Sequence, residues 1–117
     1  MTKIFIILFL FVASTAYYGQ GKRHEKQNAY YVEEATKEFN LDEEQQTKLS
    51  NFRMDMVNTY ITSTTSFKAG NISQEELKNV TKKASETFHN KLSKLTGKTH
   101  KEMQTWLKSM REKLKKT

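Results

Sequence analysis

The chain has 117 residues, no cysteine and no proline, and 20 Lys and Arg against 13 Asp and Glu, for a formal charge of +7. A chain this short makes one domain at most, and without cysteine it is not a small scaffold stapled by disulfides. The basic excess favours anionic surfaces or acidic segments of other proteins, although a solvated charged coat explains it equally well.

Residues 1–20, "MTKIFIILFLFVASTAYYGQ", place Lys3 ahead of an unbroken apolar run from Ile4 to Ala13, followed by the small residues Ser14, Thr15 and Ala16. That order predicts a secretory signal peptide cleaved near residues 16–20. The apolar run is short for a membrane span, and an uncleaved N-terminal anchor is the alternative. Residues 21–27 read as a polar lead-in to a single helical domain over 28–117. With Gly70 and Gly97 the only glycines after Gly21, the domain has few places to turn and reads as all-α.

A first short helix is predicted from about Asn28 to Phe39, with Tyr31, Ala35 and Phe39 on one stripe. A second starts at Asp42 and carries Leu49, Phe52, Met56, Tyr60 and Phe67 on one face before Gly70 stops it. Its later part, "YITSTTSF", is rich in β-branched and hydroxyl residues and is the expected place for a bend. The third starts at Ser73, buries Leu77, Val80, Ala84, Phe88 and Leu92, and ends ahead of Gly97. A fourth starts at Thr99 and buries Met103, Trp106, Leu107, Met110 and Leu114, closed by the basic "REKLKK" that suits a helix C-terminus.

Two of these starts use one phrase: Leu41-Asp42-Glu43-Glu44-Gln45 and Ile72-Ser73-Gln74-Glu75-Glu76. An Asp or Ser at the N-cap accepts from a free backbone N–H of the first turn, and Gln45 or Glu76 reaches back to the N-cap's own N–H. Thr99-His100-Lys101-Glu102 is a third possible box. Ile72 is placed to staple onto Leu77, whereas Leu41 faces Gln46 at the equivalent position and must find an apolar contact elsewhere, such as Leu49.

An aliphatic-Thr-x-x-Gln phrase repeated at helix starts of a small exported helical protein resembles the Spy/CpxP family of periplasmic proteins. Leu41 to Gln45 matches with Asp for Thr, and Ile72 to Glu76 more loosely. The ending "KLTGKTHKEMQTWLKSMREKLKK" is similar through Leu95, Thr96, Trp106, Met110 and Arg111, with Gly97, Lys98 and Thr99 replacing the usual Pro-Glu-Gln. The resemblance implies three to four amphipathic helices in a long bent hairpin that pairs as a homodimer. It also implies a periplasmic, ATP-independent chaperone or envelope-stress adaptor that holds unfolded or partly folded clients; some relatives bind zinc. A thin polar core agrees with a dimer.

A second stripe on the long helix, Arg53, Met54, Val57 and Ile61, is the candidate client-binding surface, with a wider core or a dimer seam as the structural alternative. Trp106 and Leu107, with lysines nearby, are candidates for docking on a membrane or partner, as in a secreted structural or interaction protein; packing in the bundle explains the same stripe. The sequons at Asn71 and Asn79 leave a eukaryotic secreted protein open. His24, His89 and His100 are scattered, and Glu86-x-x-His89 is one half of a di-metal signature that requires two, so no metal or other cofactor is expected. Glu33 with Glu34, and Glu43 with Glu44, point to different helix sides, and no nucleophile has a positioned base, so no catalytic residue is expected. Basic and acidic residues interleave on every helix, which argues against a nucleic-acid partner.

Overall fold

The structure, a computed structural model, describes residues 18–116 and folds them into four helices: α1 (Tyr18–Phe39), α2 (Glu43–Lys68), α3 (Gln74–Thr96) and α4 (His100–Lys115). The expected signal peptide falls, apart from its last three residues, outside the described residues. The fold is all-α. Among the described residues no helix is long and apolar enough to cross a membrane.

The starts of α2, α3 and α4 close as the local chemistry requires. The Gln45 N–H donates to Asp42 Oδ1 at 2.8 Å while the Asp42 N–H donates to Gln45 Oε1 at 2.9 Å. Ser73 with Glu76, and Thr99 with Glu102, make the same reciprocal pair at 3.1–3.2 Å. The ends of α1, α2 and α3 close through left-handed residues. Gly70 (φ 79°) terminates α2, with its own N–H on the Phe67 carbonyl and the Asn71 N–H on that of Ser66, a Schellman arrangement. Gly97 (φ 72°) ends α3 with a single bond to the Ser93 carbonyl. Asn40 (φ 54°) does the same work for α1, aided by the Leu41 N–H on Thr36 O. Asn tolerates this conformation because its short polar side chain satisfies nearby backbone.

One helix differs from expectation. α1 begins at least ten residues earlier than Asn28, so the polar lead-in is helical. Lys, Arg, Glu and Gln in that stretch are good helix formers, and Gln27 Nε2 reaches the Leu114 carbonyl at 3.4 Å, tying the extension to the end of α4. α2 is continuous through "YITSTTSF", where the Ser63 and Thr65 hydroxyls donate to the carbonyls of Thr59 and Ile61, the back-bonding that goes with a bent rather than a broken helix.

α2 and α3 form an antiparallel hairpin, and α1 and α4 cover only the end where α2 begins and α3 finishes. The core sits there: Tyr31, Ala35, Leu41, Leu49, Phe88, Leu92, Met103, Leu107 and Met110 make one cluster, in which Leu41 and Leu49 both take part. Edge-on aromatic contacts join three helices, with Trp106 4.9 Å from Phe39 and 5.3 Å from Tyr31, and Tyr31 5.8 Å from Phe88. Lys113 Nζ adds an ion pair to Glu34 at 3.2 Å and, by that hydrogen bond above all, holds the Glu34 carboxyl below the usual range. Toward the far tip of the hairpin no residue between Ser63 and Phe88 is buried. Phe67 and Val80, expected in the core, are 37% and 40% exposed, because neither α1 nor α4 reaches them.

Candidate functional site

The stripe Arg53, Met54, Val57 and Ile61 does not form one surface. Arg53 and Val57 are buried, while Met54 and Ile61 are half-buried. Arg53 turns inward: its guanidinium carbon lies 4.5 Å above the Tyr31 ring and its Nη1 donates to Asn28 Oδ1 at 3.1 Å. Asn28, itself buried, donates through Nδ2 to Ser50 Oγ at 2.9 Å. Burial lowers the Arg53 pKa from its usual value, against the opposing pull of Tyr31 and Tyr60, and burial raises that of Tyr31, against Arg53. The positive charge expected at a client surface is thus committed to the interior.

Trp106 and Leu107 pack within the bundle. Leu107 is buried in the core, and Trp106 is half-buried between Phe39 and Tyr31. The ring contacts of Trp106 with α1 and the burial of Leu107 account for the apolar face of α4 by packing within the bundle.

The capping residues Leu41, Asp42, Gln45, Ile72, Ser73 and Glu76 hold helix ends, and one of them does more. Gln45 Oε1 is used by the Asp42 N–H, and Gln45 Nε2 donates to the Leu95 carbonyl at 3.2 Å, a free acceptor in the last turn of α3. The first box therefore clamps the start of α2 to the end of α3. Glu76, an acceptor only, has no such second role.

The surface that sequence reasoning missed lies between α2 and α3. A groove of about 310 Å³ is floored by Phe52, Met56, Val80, Ala84 and Phe88 and edged by Lys83, Lys91 and Asp55. A shallower depression continues it past Phe52 and Lys91 to Lys48, Lys94 and Leu95. Lys48 pairs with Glu44 at 3.2 Å. Lys83, Lys91 and Lys94 have no carboxylate within ion-pair distance among the described residues. The result is an apolar trough with a predominantly basic rim. Its signal in the sequence was Val80, Lys83, Ala84, Thr87 and Lys91, a helical face in which lysines flank small and apolar residues; Val80 and Ala84 read as core because they fall on one stripe with Leu77, Phe88 and Leu92.

His89 and His100 do come together, with ring centroids 5.0 Å apart. Burial, then the neighbouring His100 and Arg111 charges, lowers the His89 pKa. No third His, Cys, Asp or Glu joins them in a metal-binding group among the described residues.

Compared with known protein families, curated proteins and solved structures, the chain matches none.

Proposed function

We propose that this chain is an exported, ATP-independent chaperone or envelope-stress adaptor that holds unfolded or partly folded proteins along the α2–α3 groove. The observation that carries the reading is the groove itself: Val80 40% exposed beside Phe52, Met56 and Ala84, under a rim with unpaired lysines. Apolar side chains retain an unfolded segment without reading its sequence, and a soft Met adapts to many shapes. The lysines speed encounter with acidic clients. The capping phrases shared in outline with the Spy/CpxP proteins support the same reading, as does the leader at residues 1–20, which points to a periplasmic or otherwise secreted protein. The reading includes a homodimer, in which a second copy covers the apolar residues left open at the hairpin tip: Phe67 is exposed, and Ile61, Ile72 and Leu77 are half-buried.

The test is suppression of aggregation of an unrelated unfolded protein, at near-stoichiometric ratio and without nucleotide. Met56→Ser with Val80→Ser should abolish protection at any salt, whereas Lys83→Gln with Lys91→Gln should slow capture mainly at low ionic strength. Full protection by a folded Met56→Ser, Val80→Ser protein removes the groove from the reading, and no protection by the parent removes the function. Sedimentation showing a folded monomer at micromolar concentration removes the dimer.

A further inference from the structure

On the other side of Phe88 from the groove, residues of all four helices line another cavity, open to solvent and of about 260 Å³. α1 contributes Tyr31, α2 contributes Arg53, Met56 and Tyr60, α3 contributes Ser85, Phe88 and His89, and α4 contributes Leu107, Arg111 and Leu114. Its charged lining is of one sign. Arg53 lies in the wall and Arg111, exposed, stands at the surface; neither has a carboxylate within ion-pair distance among the described residues, and no Asp or Glu lines the space. A buried guanidinium is ordinarily matched by an anion, since a neutral amide and an aromatic face recover only part of its lost hydration. Arg53 has only those two, Asn28 and Tyr31. Its Nε–H and the Tyr31 hydroxyl, both buried, have no hydrogen-bond partner among the described residues. The remaining walls, Met56, Phe88, Leu107 and Leu114, are hydrocarbon or aromatic.

We propose that this cavity binds a small amphipathic carboxylate, whose head group pairs with Arg53 and Arg111 and whose hydrocarbon part lies against Met56, Phe88, Leu107 and Leu114. A guanidinium suits a carboxylate because its planar fork offers two parallel N–H donors. The mixture of apolar wall and convergent polar groups is that of a small-ligand site. It adjoins the client groove across Met56 and Phe88, which line both, but Val80, Lys83 and Lys91 line only the groove, and Arg53 and Arg111 only the cavity.

The probe is octanoate, titrated into isotope-labelled protein while the His89 ring and the Leu107 methyl resonances are followed. Saturable shifts at both residues are expected at sub-millimolar octanoate. Octanol, with the same tail and no charge, and acetate, with the charge and no tail, should each bind at least about tenfold more weakly. Arg111→Gln, at an exposed position that leaves the fold intact, should weaken octanoate by about tenfold. Val80→Ser, in the groove, should leave it unchanged. No saturable shift, equal binding of octanol or acetate, or unchanged affinity in the Arg111→Gln protein overturns the proposal; loss of binding in a folded Val80→Ser protein overturns the placement.

Discussion

Gln45→Glu is a one-atom-type change that separates a helix cap from an interhelix clamp. In the parent, Gln45 Oε1 accepts from the Asp42 N–H at 2.9 Å and Nε2 donates to the Leu95 carbonyl at 3.2 Å. A glutamate keeps the first bond, as Glu76 and Glu102 do in their own boxes. It cannot make the second while ionised, and sets a carboxylate oxygen against a carbonyl oxygen. The lost part-buried hydrogen bond costs about 0.5–1.5 kcal/mol. The new charge gains about 0.3–1 kcal/mol at the N-terminus of α2 and loses a similar amount at the C-terminus of α3, so the two dipole effects largely cancel. The net expectation is a loss of about 1 kcal/mol at neutral pH, or about 4–8 °C in Tm for a domain of this size. The retained Asp42 N–H bond favours the ionised form, as the Thr99 backbone does for Glu102, so the new group is a carboxylate at neutral pH and cannot donate to the Leu95 carbonyl. The assay is thermal melting of both proteins by circular dichroism at neutral pH. Equal stability refutes the clamp.

Three further outcomes are expected. Ser73→Ala and Thr99→Ala should each destabilise the fold by about 0.5–2 kcal/mol in denaturant melts, because each removes the acceptor for a first-turn N–H. Trp106→Ala should cost about 3 kcal/mol by removing the ring that joins Phe39 to Tyr31, and the parent should not float with anionic vesicles; vesicle binding lost in a folded Trp106→Ala protein would restore the docking role. The folded state keeps His89 neutral to a lower pH than the unfolded chain, so as pH falls below about 6.5 the unfolded state binds a proton that the folded state does not, and stability falls. The facing groups, His100 and Arg111, deepen that effect, and His89→Gln should flatten the Tm profile through this window; an unchanged profile would show that His89 does not carry it.

What the sequence by itself determined is what short-range chemistry controls. A capping box involves residues three positions apart, so Asp42 with Gln45, Ser73 with Glu76, and Thr99 with Glu102 were legible without knowing the fold. Gly70 and Gly97 marked helix ends because a left-handed residue is a local need, and Asn40 could have been read by the same rule. The stripe of Met103, Leu107 and Met110 was legible because α4 has one apolar face and buries it. Tertiary structure decided everything that depends on which helix reaches which. Arg53 and Val80 each lie on a well-formed helical face, and nothing within a helical turn of either says that α1 covers one and stops short of the other. Arg53 is consequently folded in over Tyr31, and Val80 is left in an open trough. The stripe of α4 favoured packing for Trp106 over a bilayer, but only the fold set Phe39 and Tyr31 of α1 beside it. Burial is a joint property of elements distant in the chain, whereas a helix start is settled within its own first turn, and so the ends of this protein's helices were written locally while its surfaces were not.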